Sequence, residues 1–78
     1  MDLHHHLSNV PIREEIERIV GSASRRSGFV RAGEQAYRLS KQFPDSGVSG
    51  TQLVNAIIAE AAFAGVAVEI YQPAAEPA

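Results

Sequence analysis

The chain has no cysteine. That absence removes disulfides and any thiolate metal site. It fits a reducing compartment without fixing one, and the cytoplasm is the default expectation for a chain with no secretory or membrane-spanning pattern. Long apolar runs are missing as well. The most apolar stretch, Leu53 to Val68, has the length of a buried helix and is shorter than a membrane span. Glu60 near its middle would resist a lipid environment, so no membrane partner is expected. No apolar run of signal length follows a basic stretch, and a secretory leader is not expected either. Positive charge is absent from residues 42–78. All seven basic residues lie between Arg13 and Lys41, whereas residues 42–78 carry Asp45, Glu60, Glu69 and Glu76. With a formal net charge of −2, the imbalance lies in the distribution of charge and not in its sum. There are no internal repeats.

What is present is enough for one small domain. Seventy-eight residues with 45% apolar content argue against disorder throughout. A chain this short buries only about 60% of the surface its unfolded form exposes, so its core is marginal. Without disulfides or a structural metal, oligomerisation is the remaining common route to stability.

Apolar periodicity predicts three helices. Val10-Pro11 opens the first, with Asn9 or Ser8 as capping residue. Ile12, Ile16, Ile19, Val20 and Ala23 form its buried stripe. Gly21 is the preferred end, and a stop at Gly28 after Arg25 and Arg26 is the alternative. Glu14 and Arg18 form an i,i+4 pair worth about 0.3 kcal/mol. The second helix is expected from about Phe29 to Gln42, with Phe29, Ala32, Ala36, Leu39 and Phe43 on one face. Pro44 forces its end, and Pro44-Asp45-Ser46-Gly47 reads as a turn.

The third helix has the clearest start. Ser49 and Gln52 have the spacing of a capping box, and Val48 with Leu53 that of a hydrophobic staple. Leu53, Ile57, Ala61 and Ala64 make one apolar row, and Val54, Ile58, Ala62 and Gly65 make a second. Together they cover more of the helix than one small domain buries. Gly65 supplies the left-handed end.

From Val66 to Tyr71 the period changes to two, which predicts a short strand. Its backbone needs a partner. Three are open: the leader around Leu3–Leu7, the same strand of a second copy, or a strand of another protein. The second is the sharpest, because a two-fold axis would pair the strands and cover the surplus apolar surface together. The fold class is therefore mainly α: a small three-helix domain over residues 10–71 with one short C-terminal strand, completed by dimerisation. Residues 1–9 are expected as a flexible leader and 72–78 as a disordered tail.

Chemistry finds little support. His4, His5 and His6 suit adventitious metal binding, with His4 and His6 on the same side of an extended chain. A specific site wants three or four fixed ligands with support behind them, so no metal or other cofactor is expected. Gly47-Val48-Ser49-Gly50 has the spacing of a loop that clamps nucleic-acid backbones in KH modules, but Asp45 is the only charge nearby, and the sequence reads better as a turn and cap. A calcium loop starting at Asp45 would need a glutamate where Ala56 stands. Glu60 is the one carboxylate set in the apolar helix. A catalytic role would need a partner and a cleft, and such a residue more often sits at a helix rim or pairs with an arginine, here Arg13, Arg18, Arg31 or Arg38. No enzyme is expected.

The leading expectation is a non-enzymatic protein–protein interaction module, a homodimer or the small partner of another protein. Val54, Ile58, Ala62, Phe63, Val66, Val68 and Ile70 are its candidate interface. The alternative is a nucleic-acid-binding regulator that uses Arg25, Arg26, Arg31, Arg38 and Lys41 against phosphates.

Overall fold

The computed structural model describes residues 9–26 and 28–69. The elements run α1 (Val10–Arg25), β1 (Phe29–Arg31), α2 (Ala32–Gln42), α3 (Gly50–Ala64) and β2 (Ala67–Glu69). The leader with His4–His6, Ser27, the end of the expected strand at Ile70 and Tyr71, and the tail Gln72–Ala78 lie outside the described residues. Within them the fold is mainly helical, as the periodicity indicates, with one addition. A two-stranded parallel sheet joins the segment before α2 to the segment after α3.

Asn9 caps α1, its Oδ1 accepting from the Ile12 N–H at 3.1 Å, and Pro11 sits in the first turn, where a missing N–H costs nothing. The helix does not stop at Gly21, the preferred end, but takes the alternative one, with Arg25 and Arg26 at its last turn and Gly28 closing it. It continues to Arg25, because the extra turn carries Ala23 onto the stripe already formed by Ile12, Ile16 and Val20, and all four are buried. Tertiary packing outweighs the helix penalty of one glycine, about 1 kcal/mol relative to alanine. The Gly28 N–H then donates to the Ala23 carbonyl at 2.8 Å, closing the end in the manner of a Schellman turn.

The second helix begins at Ala32, not at Phe29. Phe29, Val30 and Arg31 form β1 instead, with Val30 buried and Phe29 48% exposed. The spacing of Phe29 fits a helix, but a parallel partner satisfies its backbone in extended form. Downstream, α2 stops where Pro44 requires. Phe43 serves as its C-cap with its backbone turned out of the helical region, and the Ser46 N–H turns back to the Phe43 carbonyl at 3.2 Å.

The start of α3 forms as its sequence predicts. The Gln52 N–H donates to Ser49 Oγ at 3.1 Å, and the Ser49 N–H donates to Gln52 Oε1 at 2.8 Å. Both bonds of the capping box are present. Its end is a complete Schellman motif: Gly65 N–H to the Ala62 carbonyl at 3.2 Å, Val66 N–H to the Ala61 carbonyl at 2.8 Å, and Gly65 at φ +75°.

The strand after α3 finds its partner inside the same chain, which is none of the three partners expected. β2 runs parallel to β1 in the register Phe29–Ala67, Val30–Val68 and Arg31–Glu69. Parallel strands need a long crossover, and α2 and α3 supply it. Opposite charges face each other at the last pair, Arg31 Nε donating to Glu69 Oε1 at 3.0 Å. On the inner face Val30 is buried and Val68 half-buried over the helices.

The core takes side chains from all three helices and β1. Ile12, Leu53, Ile57, Ala32 and Ala61 are fully excluded from solvent. α3 packs on both α1 and α2 and is the hub of the fold. Among the described residues no polar or charged side chain is buried, and no helix is long and apolar enough to cross a membrane.

Candidate interaction surfaces

The two apolar rows of α3 have different fates. Leu53, Ile57 and Ala61 of the first row point into the core, and Ala64 at its end is exposed. From the second row, Val54 and Ile58 lie half-buried against the rim of the core, as do Val66 and Val68 of the following segment. Ala62 and Phe63 remain outside, and Phe63 is 89% exposed. The expected interface therefore divides. Val54, Ile58, Val66 and Val68 already support the monomer, Ala62 and Phe63 are uncovered, and Ile70 lies outside the described residues.

Phe63 stands in unusual surroundings for an exposed aromatic. From Ala56 to Val68 the only charged residue is Glu60, and Ala62, Ala64 and Ala67 are exposed beside it in sequence. The other exposed aromatics have cationic company. Arg31 lies over the Phe29 ring at 5.5 Å and Lys41 over the Tyr37 ring at 5.4 Å; such contacts keep an aromatic face partly solvated and partly covered.

The five candidate cations also separate. Arg31 is tied to Glu69 and lies 3.7 Å from Glu34, while Lys41 is placed over Tyr37. Arg25 lies near Gly21, where a methyl group would meet its Nη1 at 3.7 Å. Arg26 and Arg38 instead share a groove between α1 and α2 with Arg18, which was not among the candidates. Arg18 pairs with Glu15, through Nε–Oε1 at 3.2 Å and a second contact from Nη2 to Oε2. This i,i+3 pair takes the place of the expected pairing of Arg18 with Glu14. The hydrogen bonding that Arg18 donates to Glu15, and then the charge of that carboxylate, holds the guanidinium pKa above its ordinary value.

Sequence reasoning missed the groove for a definite reason. Arg18, Ser22 and Arg26 are successive i,i+4 neighbours only if the first helix runs past Gly21. Ending it there breaks the stripe. The expected chelating histidines lie outside the described residues, and among the residues described no group of three His, Asp or Glu could hold a metal. Glu60 is half-buried and does not line the groove between α1 and α2.

These surfaces define a small mainly helical domain closed by a parallel strand pair, with an apolar helix end and a basic groove. Compared with known families, curated proteins and solved structures, the chain matches none of them.

Proposed function

We propose that the protein is a non-enzymatic interaction module that pairs with a second copy of itself through the C-terminal half of α3. Phe63 carries the reading. A phenylalanine at 89% exposure, in a stretch with a single charge, leaves apolar area in water that association would remove, at about 25 cal/mol per Å². Alanine at 59 and 62 and glycine at 65 let a second backbone approach closely, while Val54, Ile58, Val66 and Val68 stay packed at the rim of the monomer's own core. The marginal core of so short a chain supports the same reading. The cytoplasm remains the expected location, on the sequence argument alone.

Solution mass measured over a concentration series tests this directly. A rise from monomer to dimer is expected, abolished by Phe63→Glu with the helical signal intact. A monomer at every concentration, or a dimer indifferent to Phe63→Glu, refutes the proposal. The nucleic-acid reading has less support, since Arg31 and Lys41 are engaged by their own neighbours.

A further inference from the structure

The groove between α1 and α2 has a volume of about 410 Å³, within the range of roughly 300–1,000 Å³ typical of small-molecule sites. Its two walls are helical stripes. Arg18, Ser22 and Arg26 descend one side at intervals of four residues, and Gln35, Arg38 and Gln42 climb the other at intervals of three and four. Side chains at such spacing share one face of a helix, so each stripe is aimed along the groove and not across it.

The charge balance is the unusual feature. Three guanidiniums meet one carboxylate, Glu15, which is already held by Arg18. Two positive charges are left without a counter-charge, in a chain whose net charge is −2. Neither Arg26 nor Arg38 has a carboxylate partner among the described residues. The negative C-terminal end of α1 accounts for a cation at its last turn, but not for a further guanidinium brought in from α2. Like charges gathered in a groove repel one another, and an anion relieves that repulsion.

We propose that this groove binds a small phosphate-bearing ligand, a phosphate monoester or diphosphate, between Arg26 and Arg38 with Arg18 beside them. The donors match the chemistry. Guanidinium groups present paired N–H bonds to phosphate oxygens, and the Ser22 hydroxyl with the Gln35 and Gln42 amides adds neutral donors. Ile19 and Leu39 lie between the two stripes, but Leu39 is enclosed in the core, so recognition rests on the polar groups. A span of eight residues from Arg18 to Arg26 is about 12 Å of helix, long enough to engage two phosphates or a phosphate and its ester. The proposal does not rest on self-association, since α3 contributes nothing to the groove.

Inorganic pyrophosphate is the probe, titrated calorimetrically and by amide chemical shifts into the full chain. Saturable binding is expected, with shifts concentrated on residues 15–26 and 35–42 and with affinity falling as salt rises. Arg38→Gln and Arg26→Gln should each weaken it about tenfold, as the loss of a charge-assisted contact predicts. Both side chains are exposed, so their far-UV spectra should match the parent. Arg25→Gln, adjacent in sequence but outside the groove, should leave affinity unchanged. Absence of saturable binding overturns the proposal. So does equal weakening by Arg25→Gln and Arg38→Gln, which would mean diffuse attraction. A single-stranded oligonucleotide that binds more tightly than pyrophosphate and depends on all five cations would replace it with a polymer-binding surface.

Discussion

Replacing Gly21 with alanine adds one methyl group to the interior of α1, and the sign of its effect tests where that helix ends. A Cβ at this position meets nothing closer than Arg25 Nη1, at 3.7 Å, which is ordinary van der Waals contact with the end of a mobile side chain. No steric penalty opposes the gain in helix propensity, 0.8–1.0 kcal/mol at most and about 0.5–1 kcal/mol in a folded protein. A domain of this size responds by about 4–8 °C per kcal/mol, so Tm should rise by about 2–8 °C. Gly65→Ala is the counterpart. That residue sits at φ +75°, where an L side chain is strained by about 1–2 kcal/mol, and Tm should fall. Thermal unfolding followed by far-UV circular dichroism measures both, at one fixed protein concentration because association would otherwise couple to Tm. A drop in Tm for Gly21→Ala would place Gly21 in a left-handed cap and refute the continuous helix to Arg25.

Three further substitutions probe the rest of the fold. Ser49→Ala removes the acceptor for the Gln52 N–H and should cost about 1 kcal/mol by chemical denaturation; no change would mean that α3 starts elsewhere. Ile57→Ala truncates a side chain excluded from solvent in the helix that packs on both others. It should cost about 2–5 kcal/mol, enough to leave so small a domain largely unfolded, whereas a loss below about 1 kcal/mol would show that the site is not enclosed. Glu69→Gln breaks the exposed bridge to Arg31. It should cost no more than about 1 kcal/mol, with the difference shrinking as salt is added; a larger or salt-independent loss would mean that the strand pair depends on that contact.

The helices were legible wherever local chemistry decides the outcome. Ser49 and Gln52 satisfy each other within four residues, Pro44 terminates α2 through its own ring, and Gly65 adopts the one backbone region that it enters more cheaply than its neighbours. None of these needs the rest of the chain. β1 was illegible for the opposite reason. Three residues carry no period, and what makes Phe29, Val30 and Arg31 a strand is Ala67, Val68 and Glu69, which lie 38 positions away in register. The end of α1 belongs to the same class. Gly21 is a stop signal locally, and only burial of Ala23 against the core reverses it. That one misplacement hid the groove, because the alignment of Arg26 with Arg18 depends on the turn that Gly21 was expected to end.

The apolar end of α3 and the groove of α1 and α2 share no residue, and their chemistry is opposite. One offers area to be removed from water, the other charge to be neutralised, so salt should act on them in opposite directions. Added salt weakens the hold of three guanidiniums on pyrophosphate by screening, while a strongly hydrated salt such as sulfate strengthens apolar association. Since linkage is reciprocal, a ligand that left the monomer–dimer midpoint unchanged would have to bind dimer and monomer equally, and Phe63→Glu would then leave pyrophosphate affinity where it was. The core lies between the two sites, with α3 packed on both walls of the groove, so coupling has a physical route. A shift of the monomer–dimer midpoint on saturation with pyrophosphate would show that the route is used. An equal midpoint with and without ligand would make them two independent surfaces on one scaffold.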